Sequence, residues 1–214
     1  MAQSLQEFLD RILQAYSTGP RYDEVRKAKE EFFHRAGKVA EGSDAFEQQM
    51  QCFVDWYLFD RNLVGLDLCP VKMFVVENKT KLPPEELKIF TDLTKGVHSI
   101  FEFLKMKDND VYLKDLFSGE NYVVEDSEIN RGFSKGDVFE CRLIRFNDRY
   151  VFGGSFVFHP VDCKSYIRKQ IKKIRYQDYA QRLKLIHRLA TMRLKTEQYS
   201  HIDVKFIYTD QPMF

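Results

Sequence analysis

The stretch VHSIFEFLKMKDNDVYLKDLFSGENYVV (Val97–Val124) is where the period of the chain changes. Before it, apolar residues recur every three or four positions; within it they alternate, which is the spacing of half-buried strands. The pattern predicts five strands, at Val97–Met106, Val111–Phe117, Asn121–Glu125, Asp137–Phe146 and Arg149–Phe158. Asp108-Asn109-Asp110, Ser118-Gly119 and Asn147-Asp148 stand between them and supply turn chemistry. Five short strands within roughly 60 residues suggest a small antiparallel, barrel-like sheet of SH3 or OB size. Gly153-Gly154 inside the last strand reads as a bend that helps the sheet close.

Working outward toward the N-terminus, the signals are helical. Ser4-Leu-Gln-Glu7 has capping-box spacing ahead of Leu5, Phe8, Leu9, Ile12 and Leu13, and Gly19-Pro20 stops that helix. A second helix is expected over Asp23–Ala36, a third after Ser43, and a fourth from Pro83-Pro84-Glu85-Glu86, where prolines and acids suit a first turn. On the third, Phe46, Met50, Phe53 and Tyr57 form one stripe, while Trp56, Phe59 and Cys52 lie on another side. Trp56 and Phe59 are therefore expected at a junction between layers. Were Trp56 exposed, its face would be the candidate interface for a homo-oligomer or a partner.

Toward the C-terminus, His159-Pro160 ends the sheet and Asp162 is placed to cap a long basic helical segment reaching Gln198. Its apolar register slips by five residues between Ile174 and Tyr179, so a break is expected over Arg175–Asp178. Ile202, Val204, Phe206 and Tyr208 alternate as a closing strand would, before a loose tail at Asp210–Phe214. The expected class is α+β, with a helical layer over 1–96, a sheet over 97–160 and a basic helical segment over 161–214.

Net charge is only +1, yet the segment Lys164–Lys195 holds eleven Lys and Arg against one acid, Asp178, so a strongly basic segment is balanced by an acidic remainder. Lys172, Lys173, Arg175, Arg182, Lys184, Arg188 and Lys195 are the candidate partner-binding residues, since such a cluster steers an acidic protein or neutralises nucleic-acid phosphates. The start MAQSLQEFLDRIL lacks the basic and apolar regions of a signal peptide, and no apolar run nears the ~20 residues of a membrane span. A cytoplasmic location is expected. Cys52, Cys69, Cys141 and Cys163 form no CxxC pair and read as free thiols.

Catalytic and metal patterns are weak. Among the five histidines only His159-x-x-x-Cys163 approaches a ligand spacing, so no metal or cofactor is expected. Gly153-Gly154-Ser155 is not a nucleophile elbow, and no glycine-rich phosphate loop opens a helix. Arg145-Phe-Asn-Asp-Arg149 matches the R-x-x-x-R spacing of PilZ-type cyclic-dinucleotide receptors, but it straddles an expected hairpin turn rather than preceding the sheet. No enzyme is indicated.

FVDWYLFDR (Phe53–Arg61), VYLKDLFSGENYVV (Val111–Val124) and FSKGDVFECRLIRF (Phe133–Phe146) occur in that order. Together they resemble an uncharacterised bacterial family sharing a W-x-x-F-D helix, a D-L-x-x-G-E hairpin and a G-D-x-x-x-x-R-L strand. Some of its relatives carry a SEC-C-type zinc tail; no such tail is expected here, where a basic helix stands instead. The resemblance implies no activity. The residues point to a non-enzymatic binding or adaptor protein for an acidic partner, with nucleic-acid binding through the basic helix and barrel aromatics as the alternative.

Overall fold

The computed structural model describes residues 4–37, 39, 41–129 and 132–211. It is a mixed helix-and-strand protein whose chain divides into two units, 1–97 with 143–155, and 98–142 with 156–214.

The first unit carries helices α1 (Leu5–Ser17), α2 (Tyr22–Ala36), α3 (Asp44–Phe59), α4 (Pro70–Asn78) and α5 (Pro84–Leu93). Ser4 caps α1 by accepting from the Glu7 N–H at 3.3 Å, and Ser43 caps α3 by accepting from Phe46 at 3.2 Å, as the sequence predicted. The periodicity did not announce α4. Its apolar residues Val71, Met73, Phe74, Val75 and Val76 leave no polar stripe, and Pro70 at the first position is what fixes its start. These helices enclose an aromatic core in which Phe32 meets Phe53 edge-on at 5.6 Å and Phe74 meets Phe90 at 4.5 Å. Both sides of the end of α3 are buried, since Phe53, Trp56, Tyr57 and Leu58 are all inside.

The strands fall as the alternation predicted: β1 (Val97–Lys107), β2 (Asp110–Asp115), β3 (Asn121–Val124), β4 (Val138–Phe146) and β5 (Arg149–Phe158). Asp108 takes a left-handed conformation in the first turn, and Asn147 and Asp148 both do so in the last, the signature of a type I′ hairpin. The strand order is β1-β2-β3-β5-β4, closing on itself.

The expectation of a purely antiparallel sheet is overturned, and a parity argument explains why. Strand direction cannot alternate around a closed ring of five, so one neighbouring pair must be parallel. β1–β2 and β2–β3 are antiparallel, and the tight hairpin makes β4–β5 so. At the start of β4 the Gly136 N–H donates to Phe103 O while the Phe103 N–H donates to Asp137 O, both near 2.9 Å. With Gly136 at φ +82°, this is an antiparallel G1 bulge. The parallel pair is therefore β3 with β5.

In the second unit, α6 (Lys164–Ile174) and α7 (Tyr179–Gln198) pack Ile167, Ile171, Ile186, Leu189 and Met192 against Ile100 and Val138 of the sheet. The predicted break separates them, with Asp178 capping α7 by accepting from the Gln181 N–H at 2.9 Å. Leu185, Ile186, Leu189, Met192 and Leu194 are the buried residues of α7, whereas Tyr179 at its start is exposed. Asp162 does not cap α6: it lies in a single 3-10 turn (Val161–Cys163) that precedes the helix.

The predicted closing strand at Ile202–Tyr208 is instead a one-turn helix, α8 (Val204–Ile207), which Asp203 caps at the Lys205 N–H. Its local turn satisfies the backbone, with Tyr208 N–H donating to Val204 O at 2.8 Å. Part of the predicted tail, 212–214, lies outside the described residues.

Candidate functional site

The hairpin motif Asp115-Leu-Phe-Ser-Gly-Glu120 is a hydrogen-bonded frame. The buried Asp115 carboxylate accepts from Ser99 Oγ at 2.6 Å, the Phe117 N–H at 2.8 Å and Ser118 Oγ at 3.0 Å. Gly119, at φ +81°, completes the turn and lies against the Arg175 guanidinium, whose Nη2 is 3.7 Å from where a Cβ would stand. Lys114 pairs in register with Glu102 of β1 on the neighbouring surface.

Between this hairpin and α6 runs a groove of about 370 Å³, lined by Glu102, Lys114, Asp115, Leu116, Gly119, Arg168, Ile171, Lys172 and Arg175. Arg168, Lys172 and Arg175 reach it from one face of α6 and the turn that follows, at spacings of four and three. Its two acids are already engaged: Asp115 by the hairpin and Glu102 by Arg168 at 2.7 Å. Lys114 and Lys172 are exposed and make no ion pair among the described residues. The groove is thus a concave surface with a cationic surplus that favours anions.

The seven sequence-predicted binding residues do not form one patch. Lys172 and Arg175 line the groove. Lys173 and Arg188 turn to the opposite side, where both approach the Asp210 carboxylate, at 3.1 Å and 3.5 Å. Arg182 donates to Arg175 O at 2.8 Å and covers the Phe117 ring, bridging the break between the helices. Lys184 is exposed, and Lys195 sits half-buried in the last turn of α7. Lys114 lies outside the basic segment, so the charge pattern does not single it out; the D-L-x-x-G-E hairpin beside it is the available signal.

Trp56 is not an exposed face. It is 5% accessible, packed by Phe32 at 5.6 Å with the Arg35 guanidinium 4.7 Å from its ring, so the exposure on which a role for its face as an interface depended is not met. Phe59 is half-buried against the same core. Arg61, which follows, is an internal tie to α2: it is paired with Glu24 and, at 2.8 Å, with Glu31. Arg145 and Arg149 flank the type I′ turn, Arg145 over the Tyr150 ring at 5.3 Å and Arg149 exposed, and neither lines the groove. The cysteines are free thiols; burial pushes Cys163 up to about 12, so it stays protonated.

Fold and groove together define a helix-and-strand protein with an anion-favouring surface and no helix among the described residues long and apolar enough to cross a membrane. Residues 3–190 match the model of the family of unknown function DUF7986, and the chain belongs to that family. No curated protein and no solved structure matches it.

Proposed function

We propose that the chain is a non-enzymatic docking protein of the cytoplasm that holds an acidic protein partner in the groove between the β2–β3 hairpin and α6. The observation that carries this reading is the convergence of Lys114, Arg168, Lys172 and Arg175 on one concavity whose acids are already engaged. An acidic segment laid there gains charge-assisted hydrogen bonds and faces no uncommitted carboxylate.

A second reading has its own observation. A five-stranded barrel in the order 1-2-3-5-4 is that of OB-type domains, which commonly bind oligonucleotides on the β2–β3 face. Lys114 and Tyr112, the latter under the Lys105 ammonium at 4.7 Å, lie on β2. One tyrosine is a sparse stacking platform, which ranks this reading second.

Fluorescence anisotropy across a salt series separates the two, with labelled hexaglutamate and a labelled single-stranded oligonucleotide as probes. The docking reading expects hexaglutamate to bind, weakening about tenfold or more in Lys114→Glu/Lys172→Glu. Absence of hexaglutamate binding at low salt sinks it; a steep salt slope with the oligonucleotide alone supports the second.

A further inference from the structure

One face of α6 looks into the groove; on the opposite face Tyr166, Gln170 and Lys173 lie one turn apart. Together with Arg188 of α7 they surround a single carboxylate, that of Asp210 in the C-terminal segment. Gln170 Nε2 donates to Asp210 Oδ1 at 2.6 Å, Tyr166 Oη donates to the same oxygen at 3.3 Å, and Lys173 Nζ donates to Oδ2 at 3.1 Å. Arg188 Nη2 lies 3.5 Å from Oδ1 while donating to Tyr166 Oη at 2.7 Å and to Thr209 O at 3.0 Å.

This is a built site rather than a chance surface pair. Gln170 is 5% accessible, and Lys173 also reaches its Oε1 at 3.4 Å, so the amide is held in the orientation that presents its N–H to the carboxylate. Asp210 itself is exposed, and the Lys173 hydrogen bond holds its carboxyl below the usual carboxylate range. The firm anchor of the segment lies just before it, at Ile207 and Tyr208, which are both buried. The three residues Thr209–Gln211 therefore hold the carboxylate in place largely by polar contacts.

We infer that Tyr166, Gln170, Lys173 and Arg188 form a carboxylate-binding site that Asp210 fills in cis, and that a Glu or Asp side chain of an acidic protein segment takes it in trans when the segment Thr209–Gln211 is displaced. The inference rests on the docking reading, to which it adds a second carboxylate site on the opposite face of α6, one that carries its own internal competitor. A tethered carboxylate acts at high effective concentration, so it masks the site from a weak ligand until a multivalent acidic segment outcompetes it.

The test compares the full chain, Asp210→Asn, Asp210→Asn/Lys173→Gln and Lys114→Glu/Lys172→Glu for hexaglutamate binding by anisotropy, with hydrogen exchange of the Tyr208 and Thr209 amides read alongside. The expected result is that Asp210→Asn tightens binding by about threefold or more, that Lys173→Gln removes the gain, and that added hexaglutamate speeds exchange at Thr209 in the parent chain. Parent-like affinity in Asp210→Asn, with the parent still binding through Lys114 and Lys172, overturns the inference and leaves the docking reading standing. Absence of binding in every protein removes both.

Discussion

His159 Nδ1 lies 2.8 Å from the Tyr208 hydroxyl, joining the end of β5 to the end of α8 inside the second unit. The histidine is 6% accessible, and burial, reinforced by the Arg193 guanidinium, lowers its pKa from 6.5 to about 3. Burial likewise pushes the Tyr208 phenol well above its ordinary range, so the pair is neutral near neutrality.

The unfolded chain protonates this imidazole near pH 6.5 and the folded one only near pH 3, so the contribution of the buried ring is intact above pH 6.5. It declines as pH falls from there toward 3. Urea midpoints measured between pH 7.5 and 4.5 should fall more steeply for the parent than for His159→Gln, which has no imidazole to protonate. Parallel pH profiles for the two proteins would refute the assignment.

Gly96 precedes β1 at a point where a Cβ would stand 2.8 Å from the Leu143 carbonyl oxygen, a backbone atom without a flexible side chain's freedom to retreat. Gly96→Ala is expected to lose about 1–3 kcal/mol through forced displacement of β4 or of the chain leaving α5. Gly154→Ala is the control, because nothing stands within 4 Å of its Cβ position. Thermal melts of the two variants should differ by several degrees, with Gly96→Ala the lower.

How far the sequence disclosed this architecture depends on the range over which each feature is decided. The strands, their turns and the break at Arg175–Asp178 are local: alternation, left-handed Asn and Asp positions and a five-residue slip each act over a few residues. Helix α4 was hidden because Val71 and the run Met73–Val76 spread apolar residues around a helix of only nine residues and leave no stripe to reveal a period. The parallel β3–β5 pair follows from closure, a property of the ring that no strand carries alone. Alternation at Ile202–Tyr208 misled because a single helical turn with half-buried flanks mimics a strand pattern, and only a closed sheet, with no edge to extend, decides against it.

The candidate site divides in the same way. That the basic segment matters was legible; its division was not. Asp210 is 37 residues from Lys173 in sequence, and Lys114 belongs to a strand in the preceding sheet. Which cations are engaged and which converge is thus settled by tertiary placement.

Arg61 is expected to behave as a structural tie. Its side chain is 9% accessible and is shared between Glu24, at 17%, and the more exposed Glu31. Arg61→Ala leaves Glu24 shielded without its cation, which should cost about 1–3 kcal/mol, less than for a fully buried pair because Glu31 already faces water. Trp56, the only tryptophan, reports the unfolding of the first unit by fluorescence. A urea midpoint equal to that of the parent would place the tie among pairs of no energetic consequence.

Asp115 provides the sharpest test of what the D-L-x-x-G-E hairpin is for. Its carboxylate accepts three hydrogen bonds while 5% accessible, and the turn it organises sets Gly119 beside Arg175 at the rim of the groove. Asp115→Ala strands the Ser99 hydroxyl and the Phe117 N–H and should cost about 2–4 kcal/mol. Asp115→Asn keeps an oxygen for those two donors and turns its NH2 toward Ser118, whose hydroxyl can accept, so its loss should be about half as large or less. Thermal melts give the ranking, and hexaglutamate binding shows the consequence: Asp115→Asn keeps the rim in place and binds like the parent, whereas Asp115→Ala binds more weakly even below its melting transition. Equal destabilisation by the two variants would mean that the negative charge, rather than the set of acceptors, holds the hairpin.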